Sequence, residues 1–125
     1  MPGKTLLIIE DNEISREGLA VVLRREGYIV LTFPDGGTAL DYMTRKPPPD
    51  LILLGMLIPP PGCDGWRFLK ERRKLPALAS VPVIITTGLG IASDEWAASL
   101  GAAGLLRKPI DVEPLLAEVR RCLPG

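Results

Sequence analysis

The sequence predicts an α/β fold, a doubly wound five-stranded parallel sheet of order 2-1-3-4-5 with helices on both faces, and three observations carry that prediction. Apolar β-type runs alternate with helical patterns five times along the chain, the signature of βα units wound into one parallel sheet. The central run, Asp50-Leu51-Ile52-Leu53-Leu54-Gly55, holds four aliphatic residues in succession, as a strand buried on both faces requires. With 125 residues, 46% hydrophobic and 24% charged, the chain suits one globular core, so a single domain over residues 1–125 is expected.

Taken in order, Thr5-Leu6-Leu7-Ile8-Ile9 is the first strand and runs into Glu10-Asp11-Asn12. Ile14, Gly18, Leu19, Val22 and Leu23 then recur at helical spacing, and Gly27 is placed to end that helix. Residues 28–32 are β-branched and aromatic, a second strand. Asp35 is a candidate cap for a second helix carrying Ala39, Leu40 and Met43, which Pro47-Pro48-Pro49 terminate. The third strand covers 50–54, with Asp50 in a capping role at its start. A loop from Met56 to Asp64 contains Pro59-Pro60-Pro61-Gly62 and leads to a helix from about Gly65, with Trp66, Leu69 and Arg73 on one side. A fourth strand spans 81–87, its early proline tolerable at a strand start. Ser93 with Asp94 and Glu95 starts the next helix, and a short fifth strand falls at 104–107. Asp111 then caps a last helix whose Val112, Leu115, Leu116, Val119 and Cys122 form one apolar stripe.

Composition narrows the function. Lys plus Arg equals Asp plus Glu at 15 each, so no global charge favours nucleic acid or an anionic membrane. No apolar stretch approaches the ~20 residues of a membrane span. The N-terminus, with Lys4 alone before a strand-like run, does not read as a signal peptide. Cys63 and Cys122 fit neither a disulfide framework nor a metal spacing, which points to a reducing cytoplasm. The absence of histidine excludes His-based triads and His metal sites. Gly88-Leu89-Gly90 lacks the third glycine and following acid of a dinucleotide fingerprint and follows the wrong strand. Nucleotide or flavin binding is therefore a remote alternative.

The order 2-1-3-4-5, the flavodoxin-like arrangement, puts strands 1 and 3 at the switch point where ligands sit. Glu10, Asp11 and Gly55 should meet there, with Thr87 and Lys108 closing the same pocket. Adjacent carboxylates suit Mg²⁺, and a lysine beside a hydroxyl suits an anionic phosphoryl oxygen. The alternative is that Glu10 and Asp11 cap the first helix while Lys108 pairs with one of them; spacing leaves both open.

Glu10-Asp11-Asn12, Pro49 to Leu54, Asp64-Gly65-Trp66, Pro82 to Thr87 and Lys108-Pro109 occur in that order over essentially the whole chain. Together they resemble the receiver domain of two-component response regulators. The resemblance implies that Glu10, Asp11 and the backbone carbonyl of Leu57 match the Mg²⁺ ligands. It matches Thr87 and Lys108 to the phosphoryl-contacting pair, and it implies a cis Lys108-Pro109 bond. Gly55 falls where the family carries its phosphoacceptor aspartate, and glycine offers no nucleophilic oxygen. Leu105 matches the aromatic switch residue, the loop after Gly55 is about two residues longer than the family's, and Gly88 should loosen the loop that follows it.

The expectation is a phosphorylation-independent pseudo-receiver, a cytoplasmic protein-binding module with no enzyme activity and weakened Mg²⁺ binding. Lys108 should turn to Asp11 or Glu10. The partner would be a sensor kinase, phosphotransfer or output protein, not nucleic acid or membrane. It would dock on the face made by the helix after Ser93, the fifth strand and the last helix. The second reading is an ordinary receiver in which Gly55 has replaced the acceptor aspartate.

Overall fold

The computed structural model describes residues 3–123. Five strands, β1 (Thr5–Ile9), β2 (Ile29–Phe33), β3 (Leu51–Gly55), β4 (Val83–Thr87) and β5 (Gly104–Arg107), form one sheet of order β2-β1-β3-β4-β5, every pairing parallel. The helices are α1 (Glu13–Arg25), α2 (Gly36–Met43), α3 (Gly65–Arg72), α4 (Pro76–Ala79), α5 (Asp94–Ser99) and α6 (Val112–Cys122). This is the predicted doubly wound, flavodoxin-like fold.

Alternation along the strands divides the core into two layers. Leu6, Ile8, Leu51, Leu53 and Ile84 pack with Leu19, Leu23, Leu115 and Val119, so α1 and α6 cover one face. Leu7, Ile9, Ile52, Leu54 and Ile85 pack with Ala39, Met43, Phe68 and Ala97, so α2, α3 and α5 cover the other. All five residues of β3 are buried, as its unbroken apolar run requires. Among the described residues no helix is long and apolar enough to cross a membrane.

Several boundaries shift for identifiable reasons. Tyr28 lies just after the turn that ends α1, its N–H donating to the Leu23 carbonyl at 3.3 Å, so β2 starts one residue later than expected. Gly27, at φ +94, makes the left-handed turn between them. Asp50 stands outside β3, where its carboxylate accepts from the Thr5 N–H at 2.7 Å and ties the starts of two neighbouring strands. Pro82 also lies outside its strand but offers its carbonyl to the Ile52 N–H at 3.0 Å. α2 ends at Met43, ahead of the prolines expected to stop it.

The buried side of α3 is Phe68, Leu69 and Arg72, not Trp66, Leu69 and Arg73. Gly65 sets that rotation: a Cβ there would lie 2.7 Å from Met56 Cα, so the helix start packs directly on the backbone after β3. Trp66 is consequently 40% exposed and stacks edge-on against Trp96 of α5, ring centroids 6.3 Å apart. Arg73 caps α3 and donates to the Leu100 carbonyl at 3.0 Å. Arg72 is buried and donates to the carbonyls of Ala79 (3.2 Å) and Val81 (2.7 Å), which organises the short α4 that periodicity did not reveal. Burial holds its guanidinium below the ordinary arginine value.

Ile14 and Val112, placed on apolar stripes by their spacing, are exposed at 86% and 51%. Both sit in the first turn of a helix. Asp111 occupies the N-cap position of α6 but makes no side-chain cap bond.

Candidate functional site

The carboxyl ends of β1, β3, β4 and β5 bring Glu10, Gly55, Thr87 and Lys108 to one edge of the sheet. Glu10 follows β1 and is 1% exposed. Its Oε1 receives the Lys108 ammonium at 2.6 Å across 98 residues of sequence, and its Oε2 accepts from the Asn12 N–H at 3.3 Å. Of the two partners expected for Lys108, the structure selects Glu10. Asp11 is exposed. Capping of α1 falls to Asn12, whose side chain accepts from the Ser15 N–H at 2.8 Å, so neither acid has that task. Arg16 reaches back from α1 to the carbonyls of Glu10 (2.9 Å) and Asp11 (3.3 Å) and fixes the turn between them.

Gly55 ends β3 directly beneath Glu10. A Cβ on Gly55 would lie 3.1 Å from the Ile9 carbonyl oxygen and 3.3 Å from Glu10 Oε1. A side chain at Gly55 would thus press against the Glu10 carboxylate and the Ile9 carbonyl. No sequence signal announced this; it depends on how far Glu10 can fold back over a neighbouring strand that lacks a side chain. Leu57, two residues on, is 59% exposed in the loop toward α3.

Thr87 is buried at the end of β4, and its hydroxyl oxygen accepts from the Leu89 N–H at 3.1 Å. Its carbonyl accepts from the Lys108 N–H at 2.9 Å, joining the ends of β4 and β5. The Lys108-Pro109 peptide is cis, as is Pro60-Pro61 in the loop after β3. Arg107 donates to the Ala92 carbonyl, so the loop that begins at Gly88 is tied at both ends despite its glycines. Leu105 is half-buried and packs against the β4 side of the core, its N–H held by the Glu118 carboxylate at 3.1 Å. Cys63 lies beside α2; burial pushes its thiol up, with Arg67 opposing.

Parallel helices of this fold all point their N-termini at the same sheet edge, and the charges follow. Ten of the 15 acids lie in strand-to-helix loops or the first halves of helices. Ten of the 15 bases lie in the last halves of helices or the segments that follow them. A chain neutral overall is therefore polarised, acidic at the site edge and basic at the opposite one, as the helix dipole favours.

The profile of the response regulator receiver domain matches residues 6–120. This chain belongs to that family. The receiver is 30% identical to protein PilH of Pseudomonas aeruginosa over 96% of this chain and 98% of that protein. It is 34% identical to sporulation initiation phosphotransferase F of Bacillus subtilis, covering 99% and 97%. It spans about half the length of other curated relatives, among them the regulators SphR and RpaA. A putative response regulator from Chloroflexus aurantiacus superposes with a TM-score of 0.86 at 31% identity, over 98% of both chains. The receiver domain of sensor histidine kinase PA1611 from Pseudomonas aeruginosa, solved with magnesium in its active-site cleft, gives 0.83 at 27% identity over 96% and 97%.

The resemblance placed a divalent cation on Glu10, Asp11 and the Leu57 carbonyl. Glu10 Oε1 is engaged by Lys108, and Asp11 is exposed. No group of three or more Asp, Glu, His or Cys side chains suited to a metal occurs among the described residues. Hard cations of this kind are held by charge count and oxygen number.

Proposed function

We propose that this receiver is a phosphorylation-independent pseudo-receiver, a single signalling unit over residues 1–125 that binds a protein partner and has no enzyme activity. The observation that carries the reading is the Glu10–Lys108 pair lying over Gly55. On this assignment Gly55 is the substituted phosphoacceptor position, Thr87 and Lys108 are the phosphoryl-contact positions, and Leu105 replaces the aromatic switch. Glycine has no oxygen to form an acyl phosphate, and the lysine that would meet a phosphoryl group is engaged at 2.6 Å by a buried carboxylate. Glu10, Asp11 and the Leu57 carbonyl are the metal positions, with Mg²⁺ affinity weakened by the missing carboxylate.

Relatives named as phosphotransferase and sensor-kinase receiver support a cytoplasmic partner of the kinase, phosphotransfer or output class. The resemblance favours the α5–β5–α6 face for it. The retained Thr87, Lys108 and cis Lys108-Pro109 favour a second reading, an ordinary receiver whose acceptor has been replaced. One experiment separates the two. Wild type and Gly55→Asp are incubated with Mg²⁺ and a small phosphodonor, then assayed for acid-stable, base-labile phosphate and for Trp66 fluorescence. The pseudo-receiver reading expects neither protein to label well; robust labelling of Gly55→Asp with a fluorescence change overturns it.

A further inference from the structure

We infer that the loop after β3 and the start of α3 join two copies of this chain into a weak, two-fold symmetric dimer. The inference goes beyond the functional reading above and does not depend on it. Leu57, Pro59, Pro60, Pro61 and Trp66 are all exposed within one short stretch of chain, Leu57 at 59% and Trp66 at 40%. Ile91, 77% exposed, stands in the loop after the neighbouring strand β4, at the same edge of the sheet. Apolar surface concentrated in this way marks a contact site, where scattered single residues do not.

The loop holds that surface outward on a fixed base. Ile58 turns inward, at 6% exposure, and anchors it. The Gly62 N–H donates to the Pro59 carbonyl, that of Gly65 to Met56 and that of Gly36 to Cys63, each at 3.0 Å. A Cβ on Gly62 would lie 2.8 Å from Ile58 Cγ2, so the turn packs tightly on its own anchor. The three prolines have no N–H to strand when water is excluded. Trp66 is braced edge-on by Trp96. A surface fixed before contact loses little conformational freedom on binding.

The chemistry of the patch selects a second copy as its occupant. Proline-rich segments dock on aromatic rings, and this patch carries both halves of that contact. A two-fold axis lays the prolines of each copy on Trp66 of the other, an isologous contact that closes at two copies. Met56 to Cys63 contains no charged residue, so apposing the same loop sets no like charges together. Asp64 and Arg67 border it with one charge of each sign, and the two-fold axis can set each opposite its complement. Nearer the site the edge is acidic, with Asp11, Asp94 and Glu95 exposed, which confines the contact to the loop and α3. So few side chains fall short of the ~800 Å² that each partner of a standard interface buries, so the dimer has a Kd of ~10–100 μM. It leaves α6, on the other face of the sheet, uncovered in both copies.

Sedimentation equilibrium of the full chain from ~1 μM to ~1 mM tests this, beside amide shifts on dilution and a fluorescent proline-rich peptide as the rival occupant. Leu57→Ser and Pro60→Ser remove exposed surface only, and Trp66→Ala removes the ring. Ile14→Ser, at an 86% exposed aliphatic on α1, is the control. Thermal unfolding of each variant checks the fold. Wild type should pass from monomer to dimer, with shifts centred on Leu57, Trp66 and Ile91. Each of the three patch variants should weaken association at least ~tenfold, and Ile14→Ser should leave it unchanged. A chain that stays monomeric to ~1 mM, whether or not the peptide binds at Trp66, would overturn the proposal. So would growth beyond two copies, shifts confined to β5 and α6, undiminished association of the patch variants, or an equal loss in Ile14→Ser.

Discussion

Replacing Gly55 by aspartate puts a second carboxylate against Glu10, and the cost can be worked from the geometry. The new Cβ lies 3.1 Å from the Ile9 carbonyl oxygen and 3.3 Å from Glu10 Oε1, tighter than ordinary contact. The neighbours must yield slightly, a strain of about 1 kcal/mol. Two carboxylates ~4 Å apart repel by about 4 kcal/mol at an effective dielectric of ~20. Lys108, already 2.6 Å from Glu10, also attracts the newcomer and offsets a share of this. A net loss of about 2–3 kcal/mol is therefore expected without metal, of which about 1 kcal/mol is steric. Urea unfolding followed by tryptophan fluorescence measures it, with Gly55→Ala isolating the steric part and Glu10→Gln added to Gly55→Asp recovering the rest. Mg²⁺ at ~100 times its Kd contributes about 2.7 kcal/mol, so it should close most of the gap for Gly55→Asp and leave wild type little changed. Gly55→Asp as stable as Gly55→Ala without Mg²⁺, or equal Mg²⁺ stabilisation of wild type, would refute the reasoning.

Lys108→Met should cost about 2–4 kcal/mol by stranding the buried Glu10 carboxylate, and Lys108→Met with Glu10→Gln should regain most of it; denaturant midpoints show both. Glu118 is held below the ordinary glutamate value of 4.5 chiefly by its hydrogen bond from Arg121. Its folded pKa is depressed, so its stabilisation is present above that value and lost as pH falls through the folded pKa. Glu118→Gln should therefore flatten the acid side of the stability profile and leave its neutral-to-alkaline side parallel to wild type. Gly65→Ala should lose about 1–3 kcal/mol, because its Cβ meets Met56 Cα and the Gly55 carbonyl, backbone atoms that cannot swing aside; the same substitution at Gly18, where nothing is met, should be neutral or stabilising by thermal melt.

The parallel sheet was legible because its strands are short, apolar and separated by helices with good caps. Asn12, Asp35, Asp64 and Ser93 all accept an N–H from their own helices. Rotation about a helix axis was less legible where a backbone contact overrides the apolar pattern. Gly65 against Met56 turns Phe68 inward and Trp66 outward, and a pattern of residue types does not contain that contact. The short α4 escaped because four residues give no period; a buried arginine's two carbonyl bonds hold it. At the site, residue order along the chain located Glu10, Gly55, Thr87 and Lys108. Which acid takes the lysine depends on burial: Glu10 is long enough to fold over Gly55, whereas Asp11 lies outside in water.

That choice gives the proposed loss of switching an energetic basis. If Lys108 left Glu10 to meet any other anion, a carboxylate with 1% exposure would stay behind unpaired, a change that costs several kcal/mol. The same residue's backbone N–H is bound to the Thr87 carbonyl, and the Thr87 hydroxyl oxygen accepts the Leu89 N–H. Arg107 then fixes the far end of that loop at Ala92. Hydrogen bonds and chain connectivity thus run from the pair over Gly55 to the start of α5, and each bond is already satisfied with no phosphoryl group. A switch needs a second arrangement within a few kcal/mol of the first. Removing one carboxylate from this edge leaves the remaining acid and lysine matched to each other, and the alternative arrangement loses its partner.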